Sequence, residues 1–402
     1  MKKALMSLAK FIPVALIIIV LISTLTGFKA EMFVSECASS LRTDEPGGNK
    51  KNSGEGHICA APLVTFQLNQ NQDNQNNQNN QNNNQAITSL YNNPLTGLNT
   101  IDDISLNRPV AVSINNQRDA LPTNATNGIS QADIVYELLV ESGITRLVAL
   151  YQDFSSVGVV GSIRSVRHYT VEIAEAYNAI LVHTGGSPLG LEEIEKRNIT
   201  SLDEISGKYT QLFKRDTGRV PGEVLPEYQS VTTNGLSVSQ WLSASEVKKT
   251  HDNNYKHALT FTDNPIPNGE KASTVDVKFS SVKSSSFTYD AARKIYNMSQ
   301  YGSQFKDANN NSPVAFTNLL ILEVPITDLV GHGEGSGRQD MNTVGSGKGY
   351  FISGGQYVQI NWLRASKSSQ FTYTLENGNP LELGQGKTYI GLVPPDMNIS
   401  FN

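Results

Sequence analysis

Residues 133–189 read DIVYELLVESGITRLVALYQDFSSVGVVGSIRSVRHYTVEIAEAYNAILVHTGGSPL, with polar groups crowded between apolar runs. Ile134 to Val140 is apolar apart from Glu137, and Leu147 to Tyr151 is a second apolar run. With Gly143 between them, the pattern predicts two strands joined tightly. Glu141, Thr145 and Arg146 fall at or beside that connection. Val157 to Val160 leads into Gly161-Ser162-Ile163-Arg164-Ser165-Val166-Arg167-His168, read as a small-residue turn handing over to a helix. Val166, Tyr169, Ile173, Ala176 and Tyr177 follow helical spacing, which carries that helix to about Asn178. Ala179 to Val182 resumes strand character and stops at His183-Thr184-Gly185-Gly186-Ser187-Pro188. Strand, turn, helix, strand and loop in that order predict an α/β unit.

The start of a helix offers free N–H groups, and two arginines three positions apart there share one face and suit one anion. Arg164 and Arg167, with Arg146 nearby, therefore form a candidate phosphate or carboxylate site. The competing reading pairs the arginines with Glu137, Glu141 or Glu172 and gives them a purely architectural role, since guanidinium forks match carboxylates. Glu137, Glu141 and His183 are the candidate bases, and Ser187 is a candidate ligand contact or weak nucleophile.

Outward from this stretch, the 402-residue chain has room for two or three domains. A formal net charge of -5, with no basic run beyond the first residues, excludes a dedicated nucleic-acid binder. Lys2, Lys3 and Lys10 precede the uncharged, mostly apolar run from Phe11 to Phe28, so residues 1–30 read as an export signal. Phe28-Lys29-Ala30 is a poor small-x-small cleavage site, which favours an uncleaved signal anchor on the extracytoplasmic face of the cell membrane. A cleaved secretory peptide is the alternative. Cys37 and Cys59 stand as either a disulfide or two unpaired thiols. With only His57 nearby they do not make a zinc site, and no metal or cofactor is expected. Gln67 to Gln85 is almost pure Asn and Gln and cannot bury enough apolar area to fold. Residues 31–92 therefore read as a disordered tether, whose coil dimension is about 40 Å.

The folded part is expected to comprise an α/β domain over residues 93–244 and a smaller, mostly antiparallel β-rich domain over residues 256–402. Arg108 to Ile114 is its first strand, Leu191 to Arg197 a short helix, and Val231 to Leu242 a helix that finishes the first domain. Arg215 and Arg219 are read as surface groups, with joining the anion site as the alternative. From His257 onward, period-two runs alternate with Gly, Asn and Pro turns, and Asn377-Gly378 marks a hairpin. Gly345-Ser346-Gly347-Lys348 invites a phosphate-loop reading that fails, because Gly349 stands where Ser or Thr should bind magnesium and Asn342 where the first glycine belongs. A flexible loop is expected there instead.

The runs ADIVYE, ESGITRLVALYQ, GSIRSVRHY and YNAILVHTGGSP, followed by NLLILEVP, GSGKGYFISGGQYVQINWLRAS and GKTYIGLVP, resemble the signature runs of the YerB-like lipoprotein family of Gram-positive bacteria. The resemblance runs in order from Asn93 to Pro394. It implies a membrane-attached extracytoplasmic protein with an N-terminal and a smaller C-terminal domain and no established activity. Two departures stand out. Members carry a lipobox cysteine directly after the apolar segment, absent here, and a histidine near the segment that reads Pro226-Glu227-Tyr228-Gln229 in this chain. The function expected is a binding or scaffold protein that recognises an anionic cell-envelope ligand or an envelope protein through Arg146, Arg164 and Arg167, with His183 and Ser187 beside them. The alternative is an envelope transferase or hydrolase acting on a phosphorylated or peptidoglycan-type substrate.

Overall fold

The two apolar runs at the heart of the sequence become the middle of a large sheet. The computed structural model describes residues 91–266, 268–331, 337–395 and 398–402. The expected signal segment, the Asn/Gln tract and both cysteines lie outside the described residues. In chain order the main elements are β1 (Val110–Asn115), β2 (Ile134–Leu139), β3 (Thr145–Tyr151), β4 (Val159–Gly161), α1 (His168–Ala176), β5 (Ile180–His183), α2 (Pro188–Lys196) and β6 (Ser201–Asp203). There follow β7 (Phe213–Arg215), β8 (Val231–Asn234), α3 (Gly235–Ala244), β9 (Thr274–Lys278), β10 (Ser284–Asp290), β11 (Ile295–Gln300) and β12 (Asn318–Glu323). The last are β13 (Gly345–Ser353), β14 (Gln356–Arg364), β15 (Thr372–Leu375), β16 (Thr388–Val393) and β17 (Ile399–Phe401). Strands dominate and helices are few.

An 11-stranded mixed sheet runs in the order β14-β13-β12-β16-β2-β3-β1-β5-β6, with Glu270–Lys271 and β15 both pairing to β14. Strands β2 and β3 pair antiparallel as expected, Glu137 opposite Leu147. Parallel pairing joins β1 to β5, and the C-terminal strand β16 lies parallel between β2 and β12. The expected boundary between residues 244 and 256 is therefore a boundary in sequence, while strands from both sides of it share one sheet. A second sheet holds β11, β10, β9 and β17, and a third, small one runs β7-β8-β4.

Alternation along β2 decides what each face meets. Tyr136 turns toward α1, where its hydroxyl meets that of Tyr177 at 2.9 Å. Glu137 turns the other way, toward Ser285 of β10, and on that face Tyr389 packs against Phe287 with ring centroids 4.7 Å apart. Both faces are covered, so every residue of β2, β3 and β16 is buried. That is why these strands read as continuous apolar runs instead of alternating ones.

Several expectations are corrected. Helix α1 starts at His168, with Arg167 in extended conformation as its N-cap, so Arg164 and Val166 precede the helix. Val231–Asn234 is a strand, because it pairs with β7 and β4; the helix begins only at Gly235, where Asn234 accepts a bond from the Ser237 N–H at 3.2 Å. Gly345–Ser353 is no flexible loop but a strand paired along its length with β14. The Asn-Gly hairpin stands as read: Gly378 has φ +84° and its N–H reaches Leu375 O at 2.9 Å.

Candidate functional site

Three segments bring the arginines together. Strand β3 places Arg146 opposite Asn115 of β1. The stretch after β4 is drawn onto the same sheet by the bonds Asn115 N–H to Ser162 O (2.8 Å) and Arg164 N–H to Ser113 O (2.9 Å). Gly161 permits this approach, since a Cβ there would stand 2.7 Å from Val231 O. Third, the His183–Ser187 loop closes against the back of the stretch through Thr184 N–H to Arg164 O (3.3 Å), Val166 N–H to Gly185 O (3.1 Å) and Ser187 N–H to Val166 O (3.1 Å).

Two of the three guanidinium groups meet one carboxylate. Arg167 grips Glu141 with Nη2 at 2.7 and 2.6 Å from its two oxygens and Nε at 3.2 Å. Arg146 lies 3.9 Å from the same carboxylate and donates to Ser165 O. Arg164 donates to Tyr228 O at 2.7 Å and lies over the Tyr228 ring. Burial raises the Glu141 carboxyl, but Arg167 and then Arg146 outweigh it and bring it down to about 2. Burial, then repulsion from Arg167, pushes Arg146 down to about 9. A guanidinium keeps its proton in proteins, so burial, the larger cause, and crowding by Arg167 both act on a cation that stays charged. Among the described residues, Arg146 Nε, Arg164 Nε and the amide of Asn115 are buried donors with no acceptor in the chain.

The expected bases sit elsewhere in the network. Glu137 is wholly buried and saturated: Asn116 (3.0 Å), Thr145 (2.7 Å) and Lys283 (2.9 Å) reach one oxygen, and Ser285 (2.9 Å) and Tyr389 (2.6 Å) the other. Five donors exceed the roughly four lone-pair positions of a carboxylate, leaving none for a substrate proton. His183 is spent as well, Nδ1 on Gly185 O at 2.8 Å and Nε2 on Ser201 Oγ at 2.6 Å. Ser187 caps α2, accepting from the Gly190 N–H at 3.1 Å. Neither residue contacts the arginines by its side chain; both hold the loop behind them. Arg215 pairs with Glu204 at 3.0 Å, and Arg219, far from being a surface group, is buried as a staple to Gln229 O, Asn127 and Ala120 O.

The sequence patterns described as "Protein of unknown function (DUF3048)", N-terminal domain and C-terminal domain, match residues 95–237 and 275–390. This chain belongs to the YerB-like family. It is 27% identical over 304 residues to the Bacillus subtilis (strain 168) protein described as "Putative lipoprotein YerB", covering 75% of this chain and 86% of that protein. The crystal structure of YerB protein from Bacillus subtilis superposes with a TM-score of 0.64 at 26% identity, covering 77% of this chain and 99% of that one. Within this YerB-like fold the sequence reading passed over His168, whose Nε2 lies 2.8 Å from Asp340 Oδ1 while its buried Nδ1 has no partner among the described residues. Its place directly after Arg167 is the signal that was available. Asp340 lies 172 positions away, and nothing local pairs the two. Among the described residues no three His, Cys, Asp or Glu gather as a metal site, and no helix is long and apolar enough to cross a membrane.

Proposed function

We propose that this YerB-like protein is a membrane-attached extracytoplasmic binding protein that takes an anionic ligand, phosphate or carboxylate, at Arg146, Arg164 and Arg167. One observation carries the reading: Arg167 and Arg146 meet the single carboxylate of Glu141 while Arg164 bonds to no carboxylate among the described residues, and two of their Nε groups and the Asn115 amide lie buried with donors to spare. An architectural cluster would match its charges, because a buried charge left unpaired costs several kcal/mol. An anion with several acceptor oxygens supplies both the charge and the acceptors. The relative described as a lipoprotein supports attachment at the membrane's outer side.

The test compares Arg164→Lys with the unaltered full-length protein in melting temperature and in calorimetric titration with inorganic pyrophosphate. We expect the melting temperature to hold and affinity to fall about tenfold or more, since an ammonium cannot reproduce the bidentate fork. Unchanged binding with a large loss of stability would assign the cluster to architecture. A second reading, an enzyme acting on a phosphorylated substrate, draws on the His168–Asp340 pair beside Arg167, a carboxylate-oriented imidazole suited to proton transfer. Asp340→Asn separates the two: it leaves pyrophosphate binding intact and abolishes turnover only if the pair is catalytic.

A further inference from the structure

A concavity of about 500 Å³ lies apart from the arginines. Its walls come from the 262–266 loop, the β10–β11 turn, the β13–β14 turn and Gln385. The size falls within the roughly 300–1,000 Å³ of small-molecule sites. Its chemistry is unusual for a mere surface dent. The side chains of Asp263, Asn264, Gln356 and Gln385 line it, and none of them has a hydrogen bond or ion pair with another described residue. Tyr289 adds an aromatic wall. Its ring lies against Gly355, where a Cβ would stand 2.9 Å from the ring edge and φ is +82°, so only glycine lets the turn carry the ring this closely. Tyr296 backs it, with centroids 5.0 Å apart.

Charge narrows the ligand class. The lining carries Asp263, Arg293 and Lys294; Arg293 is matched by Asp290 just outside it at 2.8 Å, which leaves Asp263 and Lys294, opposite in sign. With Arg293 tied to Asp290, no cluster of like charge is left to select a phosphate or a polyamine. Amides donate to and accept from hydroxyl groups and a carboxylate accepts from them, while an aromatic face suits the C–H face of a pyranose ring. Apart from Pro265 and Ile266 the cleft offers no apolar side-chain socket of the kind that selects peptides.

We propose that this cleft is a binding site for a neutral saccharide, held by Asn264, Gln356 and Gln385 against Tyr289. The site is independent of the arginine cluster. The full-length protein is titrated calorimetrically with two uncharged tetrasaccharides, N-acetylchitotetraose and maltotetraose. At least one is expected to bind, with affinity about tenfold weaker in Gln356→Ala and in Gln385→Ala. Both substitutions are at accessible positions, so the melting temperature should hold, and Arg164→Lys should leave saccharide affinity unchanged. Binding of neither sugar, binding that survives the double substitution, or selective capture of tetra-alanine by the same cleft would each overturn the assignment.

Discussion

Glu137 sits in the centre of an apolar strand, and the identity of its partners explains why it is tolerated there. Lys283, itself buried, supplies the countercharge at 2.9 Å, and four neutral donors complete the shell. Lys283→Met would leave the carboxylate buried without its cation, and we expect a loss of about 3–5 kcal/mol in denaturant unfolding. His251 gives a second residue-level expectation. Burial, then His257, lowers it to about 4 from an ordinary value of 6.5, and its ring stacks on Tyr255 with centroids 3.8 Å apart. The folded state thus binds fewer protons than the unfolded chain between those values. Its contribution to stability is complete above pH 6.5 and is lost as pH falls toward 4. Melting temperature measured from pH 7 to 4 should fall less steeply in His251→Phe, which keeps the stack and removes the titration. The sequence exposes Glu137 as an anomaly in an apolar run, but not its role: Ser285 and Tyr389 lie 148 and 252 positions away. Local pattern holds no record of pairings that distant. Arg146, Arg164 and Arg167 were legible as a group for the opposite reason, all three falling within one short stretch of sequence.

At the scale of elements, periodicity found the strands and misjudged where helices begin. Val166 fits the helical spacing of α1, yet it is buried because it bridges Gly186 in the neighbouring loop. Burial from either cause looks the same in sequence. The same ambiguity merged β8 with α3. Helix α2 shows how a cap can imitate a catalytic residue: Ser187 before Pro188 stands in a suggestive Gly-Gly-Ser loop, but its hydroxyl takes the Gly190 N–H. Ser187→Ala should therefore cost about 1 kcal/mol, seen as a lower melting temperature, and leave pyrophosphate affinity where it was. A loss of binding without a loss of stability would return Ser187 to the ligand site.

For the whole molecule, periodicity pointed to an α/β segment followed by a β-rich one; the fold is strand-rich with few helices throughout, and β16 crosses from one segment to stand beside β2 of the other. An isolated fragment spanning residues 91–250 would carry β2 as an uncovered edge, apolar apart from Glu137. Such edges recruit other chains. We expect that fragment to aggregate on expression, whereas residues 91–402 should remain monodisperse in size-exclusion chromatography. A soluble, folded 91–250 fragment would contradict the shared sheet as the source of stability.

The position of Thr388–Val393 between two strands made far earlier also sets the order of assembly in time. A chain emerging from the ribosome or a translocation channel makes β2 and β12 before the strand that joins them, so the sheet stays open until Thr388–Val393 is free. Completion of the sheet thereby waits on this one strand, and a chain cut short ahead of it by a frameshift lacks the piece that would let it pass as finished.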